Sequence, residues 1–235
     1  MRSSKVRLRC FISAETLALE VAADILSRLM QATVLRGNAS MLVSGGHSPS
    51  GLFEQLRGHA LDWSRVWISL ADERWVSPGD PASNERLVRE KLLQRAAAAA
   101  RFMALKNEAE TPELGAVPAW ENLAPMPRPF DVTVLGMGDD GHTASLIPGS
   151  PTLATALDRS LPAACIATIS PIAPHARLSL NLSALLDSRR IFILLLGEEK
   201  LRTYAAACTA GPIEEMPVRA VLRQRSVPVE VVWAP

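Results

Sequence analysis

The chain lacks any long apolar run. Its longest, Ile191 to Leu196, is far too short to cross a bilayer. The opening Met1-Arg2-Ser3-Ser4-Lys5 leads into mixed polar sequence, so no secretory leader is expected. Cysteine is scarce: Cys10, Cys165 and Cys208 stand far apart with no C-x-x-C or metal-ligand spacing, which argues against a disulfide framework or zinc site and fits a reducing cytoplasm. Neither charge dominates. The 25 Lys and Arg against 24 Asp and Glu leave a formal charge of +1, so no global field would draw in nucleic acid or an anionic membrane, and neither partner is expected. Attraction for an anionic ligand must then be local. No internal repeat is visible. With 48% hydrophobic and 21% charged residues, the 235-residue chain reads as one ordinary globular α/β domain over 1–235.

The patterning supports that class. Leu17, Val21, Ile25 and Leu29 recur every fourth residue after a possible Ser13 cap, which predicts a helix with one buried stripe. Ser40 to Ser44 reads as a short buried strand broken by Gly45-Gly46, and Ser48-Pro49 reads as the cap and first turn of the next helix. Val66 to Leu70 is a strand running into Ala71-Asp72-Glu73-Arg74, followed by a helix through Leu87, Val88, Leu92 and Leu93. The alanines 96–100 read as a helix end, and the stretch from Thr111 to Pro129, with five prolines, as a surface connection carrying one short helix. Phe130 to Leu135 is the clearest central strand. Further strands are expected over 165–169, 177–182, 190–196 and 228–233, with a helix over 198–208. Strands alternating with helices predict an α/β fold, a mostly parallel sheet flanked by helices.

Three segments carry candidate chemistry. Ser44-Gly45-Gly46-His47-Ser48-Pro49 joins a strand to a helix start, where glycines let the backbone approach an anion. An unliganded tight turn is the plain alternative. No Walker motif follows. Gly136-x-Gly138-x-x-Gly141 matches the dinucleotide fingerprint by letter. It reads as a false match, because Pro148-Gly149 soon breaks the chain and the next strand ends in Ser170-Pro171 instead of an acidic residue. His142 with Asp140, in a glycine-flanked loop at the carboxyl end of a buried strand, suits a general base whose imidazolium a carboxylate supports. A solvated loop histidine is the plain alternative there. Asp72-Glu73-Arg74 ends the preceding strand. Arg74 suits bidentate recognition of a phosphate or carboxylate, or else an internal ion pair with Asp72 or Glu73. Arg177 and Lys200 are further cations at strand and helix starts, while His59 and His175 read as structural or exposed.

Taken together, Ser44 to Pro49, Ala71-Asp72-Glu73-Arg74 with Ser83-Asn84, and Leu135 to Gly149 closely resemble the 6-phosphogluconolactonase family. The likeness continues through Arg177 to Asn181, Gly197 to Lys200 and Pro217 to Leu222, and so covers nearly the whole chain. The sequence departs from the family pattern at His47, Ser50 and Pro118. The resemblance implies a sugar-phosphate isomerase-like fold, with a Rossmann-like sheet wrapped by helices, and hydrolysis of 6-phospho-D-glucono-1,5-lactone in the oxidative pentose phosphate pathway, with His142 as base and Asp140 as its partner. Gly45, Gly46, His47, Ser48, Asp72, Arg74, Arg177 and Lys200 then surround a small sugar-phosphate lactone. No cofactor and no metal are expected, since a lactone carbonyl needs only an activated water, a proton donor and a stabilised oxyanion.

Two other functions compete with this reading. A glucosamine-6-phosphate deaminase or isomerase of the same fold would carry a loop like G-x-D-G-H-I-A-F-N-E-P. Here His142 is followed by Thr-Ala-Ser-Leu-Ile-Pro, and the earlier carboxylates are followed by Arg74 instead of a tyrosine. A non-catalytic sugar-phosphate sensor would usually bring a helix-turn-helix extension, and no basic segment of that kind precedes residue 40.

Overall fold

A computed structural model describes residues 6–46, 48–171 and 174–235. Its first strand, β1 (Arg7–Cys10), is followed by α1 (Ala14–Arg36). The Ser13 side chain accepts from the Thr16 amide and caps α1, whose apolar stripe is buried at Leu17, Val21, Ile25 and Leu29. Then come β2 (Ala39–Val43), α2 (Ser50–Leu56), β3 (Val66–Leu70) and a separate short strand, β4 (Asp72–Arg74). Next are α3 (Asn84–Lys91), β5 (Arg101–Met103), α4 (Pro112–Asn122) and β6 (Val132–Leu135). The chain closes with α5 (Leu153–Leu157), β7 (Cys165–Ile169), β8 (Ala176–Leu180), α6 (Leu182–Leu186), β9 (Ile191–Leu196), α7 (Glu198–Cys208), α8 (Val218–Arg223) and β10 (Val229–Ala234).

Seven strands form one parallel sheet in the order β1-β10-β9-β6-β2-β3-β5, with helices packed on it, as the alternating pattern predicts. β6 is its middle strand. Strands such as β2 and β9 are buried nearly throughout, which is why their sequences, ASMLV and IFILLL, show no polar alternation. The last strand, β10, lies between β9 and β1, and across that seam the Arg9 guanidinium meets Glu230 at 2.9 Å, along with Asp24 and Glu20 of α1. From β2 the chain crosses to β3 on one side, while β6 pairs with β2 on the other. The loops that leave β2 and β6 therefore part company and open a crevice at the carboxyl ends of the strands.

A second sheet, β4-β8-β7, is antiparallel. Several expectations are corrected here. Residues 72–74 do not prolong β3 but change sheets, and the strand expected over 177–182 ends at Leu180 because the buried Asn181 side chain caps α6 by accepting the Ala184 amide. Pro49, not Ser48, occupies the cap position of α2, with no side-chain cap bond. The alanine run forms a separate 3₁₀ turn over Arg95–Ala99 that leads into β5, a strand the sequence did not reveal. The proline-rich connection does hold the one expected helix, α4, which runs to 11 residues with Pro118 inside it. Pro118 deprives the Leu114 carbonyl of its donor, at a residue that is exposed.

Candidate active site

The crevice is a cavity of about 400 Å³. It is lined by the loop after β2 (Ser44, Gly45, Gly46, Ser48), by Asp72 and Arg74 of β4, by the loop after β6 (Gly136 to Asp139, His142, Ala144), by Arg177 of β8 and by Lys200 of α7. Every residue proposed from sequence to touch substrate is on this wall except His47, which falls outside the described residues. Asp140 stands behind His142. Asn84, Met137 and Ala144 also line the cavity; they lie in the segments that resemble the family but were given no site role from sequence.

The loop after β6 is built to hold an imidazole. The Gly138 amide donates to the His142 carbonyl at 2.9 Å, Thr143 Oγ1 donates to the Gly136 carbonyl at 2.8 Å, and Gly141 turns the chain at φ 76°. A Cβ on Gly138 would lie 2.1 Å from His142 Nδ1, so the ring is packed flat against a backbone that only glycine leaves bare. His142 Nδ1 is 2.6 Å from Asp140 Oδ1, and the same oxygen accepts the His142 amide at 3.0 Å. Burial alone would raise the Asp140 carboxyl, but these bonds from His142 outweigh it and hold it below the usual carboxylate range. An ionised Asp140 requires a proton on Nδ1, which leaves the Nε2 lone pair as the basic site of a neutral ring. No dinucleotide helix follows Gly141: the next helix is α5, and the next strand, β7, belongs to the antiparallel sheet.

The second sheet brings two cations together. Arg74 and Arg177 are direct register partners across β4 and β8. Like charges placed opposite each other on a ladder repel, and both Nε atoms are buried with no partner among the described residues. Burial pulls the Arg177 guanidinium below its ordinary value; Asp72 opposes that pull and Arg74 adds to it. Such a pair is poised to receive an anion. Arg74 does not form the internal ion pair considered as its plain alternative. It donates from Nη1 to the Ala82 carbonyl at 2.6 Å, and its amide donates to Glu73.

Glu73 has a structural task. Its buried carboxylate accepts the amides of Arg74, Asn84 and Glu85, each at 2.7 Å, and the Ser83 hydroxyl at 3.1 Å, so β4 is tied to the first turn of α3. Burial pushes this carboxyl above its ordinary value against the pull of those amides. Asn84 in turn donates to the Asp72 carbonyl at 2.8 Å and presses on Gly45, where a Cβ would lie 1.9 Å from its Oδ1. That contact explains the first glycine of the loop. Lys200 pairs with Asp139 at 2.7 Å on the cavity rim. The Ser44 hydroxyl is buried at the wall and has no partner among the described residues.

An open parallel sheet with a crevice at its switch point, lined by two arginines, a lysine and a histidine, defines an α/β protein of the Rossmann-like class. Residues 12–233 match the family described as glucosamine-6-phosphate isomerases/6-phosphogluconolactonase, and the chain belongs to that family. It is 42% identical over 230 residues to a Pseudomonas putida protein named 6-phosphogluconolactonase, covering 98% of this chain and 93% of that one. A Rhizobium meliloti protein of the same name is 41% identical over 97% of this chain and 98% of its own. Among solved structures, a 6-phosphogluconolactonase from Shewanella baltica superposes with a TM-score of 0.95 at 47% identity and full coverage of both chains.

Proposed function

We propose that the chain hydrolyses 6-phospho-D-glucono-1,5-lactone to 6-phospho-D-gluconate, with His142 as general base. The observation that carries this reading is the meeting, in one cavity, of a carboxylate-backed imidazole with two arginines set opposite each other. The arginine side, with the Gly45-Gly46 loop, takes the phosphate and so brings the lactone carbonyl to the histidine side. Nε2 of His142 accepts a proton from water as the water oxygen bonds to the carbonyl carbon. Negative charge gathers on the former carbonyl oxygen, in reach of the donors and cations of the wall. As the intermediate collapses, the bond from carbon to ring oxygen breaks and the imidazolium returns the proton to that oxygen. Names of relatives favour the lactonase over the deaminase, and Arg74 and the Thr143-Ala144-Ser145 sequence after the histidine favour it on residues.

The test is direct. Lactone generated from glucose 6-phosphate is followed by acid release, with the enzyme-free rate subtracted, and glucosamine 6-phosphate is followed by ammonia release. Rapid lactone opening without ammonia is expected. A rate no faster than the spontaneous one would overturn the assignment.

Treatment with EDTA should leave the rate unchanged. Among the described residues there is no group of three or more His, Cys, Asp or Glu placed to hold a metal ion, and the proposed steps use only proton transfer and fixed charge. Loss of activity in EDTA with recovery on adding zinc or magnesium would contradict that chemistry.

A further inference from the structure

Asp72 lines the cavity, yet its carboxylate is engaged from behind. Oδ2 receives the Ser145 hydroxyl at 2.5 Å, and the same oxygen stands 3.9 Å from Arg177 Nη1. A closed pair between carboxylate and guanidinium would sit at about 2.7–2.9 Å. The pair is therefore held open by roughly an ångström, although both side chains are largely buried, where attraction is little screened. Arg177 meanwhile keeps an Nε with no partner among the described residues.

Ser145 is well fixed for holding the carboxylate back. It is fully buried, and its amide donates to Ser179 Oγ at 3.2 Å. Ser179 is the register partner of Asp72 across β4 and β8, so the serine is referenced to the same sheet as the groups it separates. The preceding residue, Ala144, has φ 49°, a left-handed conformation in a non-glycine residue that sets the direction in which Ser145 leaves the loop. Three residues before Ser145, the same loop carries His142.

We propose that Ser145 is a positioning residue that holds the Asp72 carboxylate away from Arg177 and so keeps that guanidinium open to the substrate's phosphate. The inference rests on the sugar-phosphate reading above. Without the hydroxyl, the carboxylate loses its donor and the neighbouring guanidinium is the nearest replacement. Closing the gap cancels the cation and puts a carboxylate oxygen where a phosphate oxygen belongs. Ser145 thus sets the affinity of the anion site without touching the ligand.

Calorimetric titration of 6-phosphogluconate, with gluconate as the phosphate-free control, tests this in wild type, Ser145→Ala, Asp72→Asn and the double variant. Ser145→Ala should weaken 6-phosphogluconate binding about tenfold or more. The double variant should bind as Asp72→Asn does, because the neutral amide no longer competes for Arg177. Wild-type affinity in Ser145→Ala, or a double variant as weak as Ser145→Ala, overturns the proposal. If Ser145→Ala does not fold, Ser145→Cys, close in shape and a much weaker donor, takes its place in the single and double variants, and the same outcomes decide. Inorganic phosphate serves as a second probe of the same four proteins, so failure of the wild type to open the lactone would refute the proposed function and leave the Ser145 question answerable.

Discussion

His142→Ala is expected to lower kcat for 6-phosphogluconolactone by roughly 10²- to 10⁴-fold, the range spanned by removal of a general base. KM should change little, because Arg74 and Arg177 lie on the second sheet and do not depend on the imidazole. Asp140→Asn should be milder, and its pH profile carries the sharper information. Asp140 is held below the usual carboxylate range, so its support of His142 is fully present above that range and is lost only as pH falls through the lowered value. The Asp140 contribution to activity therefore fades only in acid, and Asp140→Asn, which has no carboxyl to protonate, should lack that share of the acid decline. A folded His142→Ala protein with the wild-type rate, after subtraction of spontaneous opening, would remove the histidine from the mechanism.

Arg177→Ala is expected to lower kcat/KM for the phosphorylated lactone by about 10- to 100-fold, the worth of a hydrogen bond to a charged group, mainly through KM. Unphosphorylated gluconolactone, which has no dianion to place, should be affected far less. The comparison of two substrates matters because the variant also strips Asp72 of its nearby cation and so lowers stability. A general loss from misfolding would strike both substrates equally. Equal losses would therefore take Arg177 out of the phosphate site.

The fold was largely legible where one physical rule governs a segment. The recurrence of apolar residues along α1 with its Ser13 cap and the unbroken apolar run of β9 follow from local pattern, and β7 and α7 fall at the bounds expected for them. What escaped depends on contacts distant in sequence. Nothing in the residues 66–74 says that the chain leaves one sheet at Ala71 and enters another at Asp72; that is set by pairing with β8, about a hundred residues later. The 3₁₀ turn of alanines and the length of the helix that accommodates Pro118 likewise depend on their surroundings, not on propensity. The candidate site divides in the same way. His142 and Asp140 are two residues apart in a glycine loop and can be read locally, whereas Asn84 and Ser145 act on Gly45 and Asp72 from far along the chain. Both Asn84 and Ser145 lie in segments that resemble the family, but nothing local to them states which distant group they touch.

The seam at β10 bears on how the protein is made. Because β1 and β9 both pair with the last strand, each leaves the ribosome with an unsatisfied edge and waits for β10 to be synthesised. For β9, with its sequence IFILLL, that interval exposes a surface prone to association between nascent chains. β1 is guarded differently. Arg7 and Arg9 alternate with Leu8 and Cys10, and cations on a naked edge discourage neighbouring chains from adding to it. When Glu230 arrives, it supplies the counter-charge at Arg9, so the residues that keep the early chain apart from its neighbours become part of the final closure of the sheet.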